Sequence, residues 1–184
     1  MKTSDTLSII CPVPAAQAHL SEDKMILLRI RKWIIAFMIL LMLSGITAFP
    51  VQTELHFLLH HRNFIPDFFI PWLCIISNAI DVTAEEFPYL LYGYDWLAYS
   101  HIIIALFFIG VYRNPIQNAW VLRIGMIAGC GIFILAAVCG QMRGIPFFWT
   151  LIDCSFGIFG MIPLLIVQKQ INKLEEFHTD YKMI

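Results

Sequence analysis

Four stretches of this chain read as membrane-crossing helices, and nothing else in the sequence narrows its folding options as much. A helical span needs about 20 mostly apolar residues to cover about 30 Å of hydrocarbon. Trp33–Phe49 (WIIAFMILLMLSGITAF) carries no charge. Trp96–Tyr112 is interrupted only by His101, Ala119–Gly140 carries Arg123 near its start, and Ile145–Val167 carries Asp153. A fifth apolar run, Ile65–Ile80, contains Pro66, Asp67 and Pro71, and reads as an interfacial or re-entrant helix rather than a span.

Composition closes the alternatives. Only 14% of residues are charged and mean hydropathy is +0.75, whereas soluble domains carry about 25% charged residues. The 15 Phe and 5 Trp exclude a disordered chain. A net charge of −1 leaves no electrostatic footprint for nucleic acid. The expected fold is therefore an all-α integral membrane protein, a four-transmembrane-helix bundle with spans at about 33–49, 96–112, 119–140 and 145–167. Residues 50–95 are expected to form an extracytoplasmic interfacial helical cap. Outside the membrane domain of residues 27–168, residues 1–26 read as a disordered cytoplasmic tail and 169–184 as a second cytoplasmic tail.

Basic residues set the orientation, because cytoplasmic loops are enriched in Lys and Arg. Lys2, Lys24, Arg29, Arg31, Lys32, Arg113, Arg123, Lys169, Lys173 and Lys182 fall on one side under this topology. Only Arg62 and Arg143 fall on the other, where segment 50–95 adds Glu54, Asp67, Asp81, Glu85, Glu86 and Asp95. Both termini are expected in the cytoplasm, with the protein in a bacterial inner membrane. Residues 1–24 have no secretory h-region. Met25, followed by ILLRIRKW and the first span, makes a more usual start, so residues 1–24 read as a loose tail or an upstream extension. The first span reads as an uncleaved anchor.

Small residues mark where membrane helices touch, since lipid supplies no hydrophobic force between them. Gly125 and Gly129 sit at GxxxG spacing, with Ala136 and Gly140 repeating the interval. Asp153, Gly157 and Gly160 share a stripe, as do Ala98, His101 and Ala105. Gly125, Gly129, Gly157 and Gly160 are the expected packing positions, within the chain or against a second copy. Trp33, Trp96, Trp120 and Trp149 suit interfacial aromatic belts.

Ionisable groups at membrane depth are site candidates by default. His101 lies about 8 Å and Asp153 about 12 Å inside the outer surface at 1.5 Å per residue, so a pair is geometrically open to them. Its bland reading is a buried hydrogen bond fixing helix register. Arg143 and Asp95 complete the pocket candidates, although Asp95 reads first as the N-cap of the second span. Arg123 is expected to snorkel.

In the cap, His56 and His60 are one turn apart and could share a metal with one of Glu54, His61 or Asp95. HxxxHH also looks like one histidine box of the membrane fatty-acid hydroxylases and desaturases. Those enzymes need several boxes to hold two irons, and six histidines in the whole chain are too few. A bis-histidine haem fails because only His101 lies within a span. No cofactor is expected beyond that single metal ion. Five cysteines without CxxC give no support to a disulfide-generating enzyme, while a structural disulfide among Cys74, Cys139 and Cys154 is allowed. Cys11 and Cys130 read as unpaired. Walker, GxSxG, HExxH and Rossmann signatures are absent.

LSGITAFP (43–50), YGYDWLAYSHIIIALFFIG (92–110) and RGIPFFWTLIDCSFGIFGMIPL (143–164) resemble a family of small, uncharacterised four-span bacterial inner-membrane proteins. The resemblance covers residues 27–175 and implies no activity. Two functional classes follow. The first is a structural or accessory subunit without chemistry of its own, packing with lipid, a second copy or a partner membrane protein. The second is a membrane protein, enzymatic or not, holding a small or lipid-like ligand in a polar outer-leaflet pocket around His101 and Asp153.

Overall fold

The computed structural model describes the backbone of residues 14–182 and the side chains of residues 21–176. Among the described residues every regular element is helical: α1 (Pro14–Ala48), α2 (Val51–His60), a 3-10 turn (Arg62–Phe64), α3 (Ile70–Glu86), α4 (Pro88–Arg113), α5 (Ala119–Met142) and α6 (Phe147–Lys182). Three helices, α4, α5 and the Phe147–Glu176 part of α6, are long and apolar enough to cross a membrane. A fourth candidate exists only if α1 and α2, which meet at an 85° bend, are taken as one broken span.

Helix boundaries depart from expectation in one consistent way. Residues 14–26 are helix rather than tail, and α6 runs on through the expected C-terminal tail to Lys182. The apolar pattern marks only the part of a helix suited to lipid, whereas backbone hydrogen bonding propagates cooperatively beyond it. Helix α4 likewise starts at Pro88, a residue whose missing N–H costs nothing in a first turn. Asp95 is therefore inside α4 and is not an N-cap. The segment read as a cap holds α2, the 3-10 turn and α3, and residues 88–95 belong to α4.

The chain divides into two units, one of residues 1–35 with 110–184 and one of residues 36–109. In the first, α5 packs along α6. Their connection is a Schellman turn: Ile145 N–H bonds Gly140 O at 2.9 Å and Gly144 N–H bonds Gln141 O at 3.2 Å. Gly144 takes φ +67°, which an L side chain rarely adopts. Gly129 and Gly157 face the partner helix. A Cβ on Gly129 would lie 2.9 Å from Met161 Cε, and one on Gly157 3.2 Å from Phe133 Cζ and 3.5 Å from Gly129 O. Gly125 and Gly160 are half-buried. Asn118 closes α4, its side-chain amide donating to Gly110 O (3.1 Å) and Asn114 O (3.0 Å).

The same unit contains the fully buried Ile30, Ile34, Val111, Leu122, Val167, Ile171 and Leu174. These positions are interleaved with exposed Arg29, Arg31, Arg123, Lys169 and Lys173. Side chains buried among so many exposed charges, Ile30, Ile171 and Leu174 above all, are buried as in a water-soluble core, by the ordinary hydrophobic effect. The exposed Lys173–Glu22 ion pair at 3.0 Å adds little, and Arg31 lies 5.4 Å from the Tyr112 ring centroid. The outer faces differ: only 17% of the most apolar window of α5 is buried, and Ile127, Ile134, Phe156 and Phe159 are each about two-thirds exposed. Such surface is stable in lipid or against a partner helix and not in water.

In the unit of residues 36–109, α2 packs on α3, Phe37 meets Phe108 edge-on at 4.8 Å, and Ala98 and Ala105 are fully buried. Gly45 makes the closest approach. A Cβ there would sit 2.7 Å from Ala98 O and 3.1 Å from His101 Cβ, so only glycine lets the two backbones come this near.

Candidate functional site

The polar residues that come together are Gln52, His56 and Asp81. Gln52 and His56 are one turn apart on α2 and so share a face. Across from them on α3, Asp81 Oδ1 accepts from Gln52 Nε2 at 2.9 Å, and Asp81 Oδ2 accepts from His56 Nε2 at 3.0 Å. The hydrogen bond from His56, then that from Gln52, hold the Asp81 carboxyl below its ordinary value, and Ser77 adds to them against a slight desolvation. A lowered value in the folded chain means that the tie is complete above pH 3.8, the ordinary aspartate value, and is lost as pH falls through the lowered one. Hydrogen-exchange protection of the α2 amides is accordingly expected to hold from neutral pH down to about pH 4 and then to fall. In Asp81→Asn that acid-induced loss is expected to vanish, and a variant that keeps it would disprove the assignment.

His56 is thus engaged with Asp81 and not with His60. His60 and His61 stack edge-on at 5.1 Å, and His61 Nδ1 donates to Phe57 O at 3.0 Å. Among the described residues no three His, Cys, Asp or Glu side chains converge to hold a metal ion, so Glu54, His56, His60 and His61 are not gathered as one. Cys74, Cys130, Cys139 and Cys154 are free thiols, and no disulfide joins Cys74, Cys139 and Cys154.

His101 belongs to the unit of residues 36–109, whereas Asp153 and Arg143 belong to the other. His101 is half-buried in α4 and its Nδ1 donates to Leu97 O, one turn back, at 2.9 Å. Asp153 is half-buried early in α6, and Arg143 is exposed at the end of α5.

Asp95, among the pocket candidates, lines a cleft. The cleft, of about 220 Å³, opens at the α1–α2 bend between Phe49, Pro50, Val51, Gln52 and Thr53 on one side and Leu91, Tyr94 and Asp95 of α4 on the other. Gln52 joins it to the Asp81 cluster. Sequence reading missed Gln52, Thr53, Asp81 and Tyr94 in this role. The available signal was Pro50, which ends an uncharged apolar run just before a polar QTE and so forces a break at the membrane edge.

Comparison with protein-family profiles, with curated proteins and with solved structures finds no match for this chain. What defines it is its own architecture: an all-helical protein with three helices able to cross a membrane and a polar cleft beside a sharp helix bend.

Proposed function

We propose that this is a four-span membrane protein of a bacterial inner membrane, with both termini in the cytoplasm, acting as an accessory subunit that packs against lipid or partner helices. The observation that carries this reading is the outward apolar surface of α5 and α6 around Ile127, Ile134, Phe156 and Phe159. In the bent α1–α2 pair, the fourth candidate, the charge-free stretch Trp33–Ala48 of α1 crosses the hydrocarbon, rising about 24 Å and ending at the bend. On this reading α2 and α3 lie at the extracytoplasmic surface and the charged layer around Ile30 and Ile171 lies at the cytoplasmic one.

Single-cysteine variants test this in a cysteine-free background with a membrane-impermeant maleimide. Glu86→Cys is expected to react in spheroplasts. Met25→Cys and Gln117→Cys are expected to react only after permeabilisation, and Ile134→Cys under neither condition. Equal reactivity of Met25→Cys and Glu86→Cys would remove the fourth span, and rapid labelling of Ile134→Cys would remove the membrane-facing assignment.

The cleft favours a second reading, a membrane protein that binds a small or lipid-like ligand. Its volume lies below the roughly 300–1,000 Å³ of drug-sized pockets, which suits a headgroup-sized moiety. The ligand of this reading would sit at Asp95 and Gln52, whereas the sequence pointed to a pocket around His101 and Asp153.

A further inference from the structure

We propose, resting on the ligand-binding reading, that the cleft at the α1–α2 bend takes an ammonium group, carried by a lipid headgroup or by a small free amine. Four side chains supply its polar lining: Asp95, Gln52, Thr53 and Tyr94. Among the described residues Asp95 has no hydrogen bond or ion pair, so its carboxylate is a free acceptor. Gln52 has been oriented from outside the cleft. An ionised carboxylate can only accept, so Asp81 holds the Gln52 amide by one N–H of its NH2 and leaves the carbonyl oxygen free to accept beside the second N–H. Thr53 and Tyr94 add hydroxyl oxygens. The lining is thus rich in acceptors and carries negative charge, with Glu54 close enough to act electrostatically on Tyr94.

No Lys, Arg or His lines the cleft, so an anion would meet the Asp95 carboxylate with only the backbone N–H groups of the first turn of α2 to offset the repulsion. A divalent metal would want more charged ligands than one carboxylate, and no triple cluster is at hand. An ammonium group matches on count and charge, with up to three N–H donors to share among a carboxylate and neutral oxygens. The C-terminal end of α1 and the N-terminal end of α2 both adjoin the cleft, so their opposite partial charges offset each other and the Asp95 carboxylate sets the sign of the site. Phe49, Pro50, Val51 and Leu91 give the apolar wall that the methylenes next to an amine would cover.

The test uses native mass spectrometry of the full chain in detergent, titrated with phosphatidylethanolamine or with phosphatidylglycerol, and with ethanolamine hydrochloride as competitor. The expected result is retention of phosphatidylethanolamine over phosphatidylglycerol, weakened about tenfold or more in Asp95→Asn and recovered in Asp95→Glu, with unchanged circular dichroism. Displacement by ethanolamine identifies a free amine as sufficient, and its failure assigns the ligand to the lipid. Equal retention of both lipids, indifferent to Asp95→Asn, overturns the ammonium assignment. Leu91→Trp, which fills the cleft, separates the two levels. An adduct of either lipid lost in Leu91→Trp keeps the ligand-binding reading while the ammonium one falls, and adducts indifferent to Leu91→Trp end both.

Discussion

Gly45→Ala is expected to destabilise the protein, and Gly45→Leu to prevent it from being purified as a monodisperse species. An alanine at a helix interior ordinarily gains up to about 1 kcal/mol over glycine. Here its methyl would lie 2.7 Å from the Ala98 carbonyl oxygen, a backbone atom with no rotamer to escape into. The helices must then separate, and overpacking of that kind costs about 1–3 kcal/mol. Because close backbone approach is what holds membrane helices together, the loss exceeds the propensity gain. Gly93 in α4 is the internal control, since nothing lies within 4 Å of a Cβ there. Gly93→Ala should be neutral or mildly stabilising. The check is thermal unfolding in one detergent, and a Gly45→Ala melting temperature at or above that of Gly93→Ala would refute the close-approach argument.

Large losses are also expected from Leu122→Ala and Ile171→Ala, about 2–5 kcal/mol each. Both side chains are fully buried, in a layer where neighbouring Arg123, Lys169 and Lys173 remain exposed. Truncation there opens a cavity against water-driven burial. Ile127→Ala, on the outward face of α5, removes a side chain that is 66% exposed and is expected to shift stability by less than about 0.5 kcal/mol. Unfolding in a graded denaturing detergent reads the difference. Equal sensitivity at all three positions would mean that the charged layer holds no core of its own.

The contrast between these two predictions also explains what could be read from the sequence. Runs such as Trp96–Tyr112 announce themselves because apolar length is a local property. The continuation of α1 and α6 beyond their apolar runs does not, because positions such as Ile26, Ile30, Ile171 and Leu174 alternate with charged residues and are buried by tertiary packing. Gly45 was invisible to a search for repeated small residues, since the positions four residues either side of it are Leu41 and Phe49. His56 was singled out with the wrong companion. Helical spacing puts both Gln52 and His60 a turn away from it, and the choice between them is made by Asp81, which lies 25 residues on in sequence. Asp95 stood at the edge of an apolar run and looked like a cap, because hydropathy cannot tell where a helix begins from where lipid begins.

The four residues between α5 and α6 carry a consequence for how the chain is made. Arg143–Pro146 is too short to house anything but the Schellman turn itself. On the proposed four-span reading, once the translocation machinery has committed α5 to one direction, α6 has no freedom to choose its own, and the pair can leave the insertion channel as a preassembled hairpin. Orientation in this half of the molecule is thereby inherited from one helix by the next, without a separate topogenic signal for the last span.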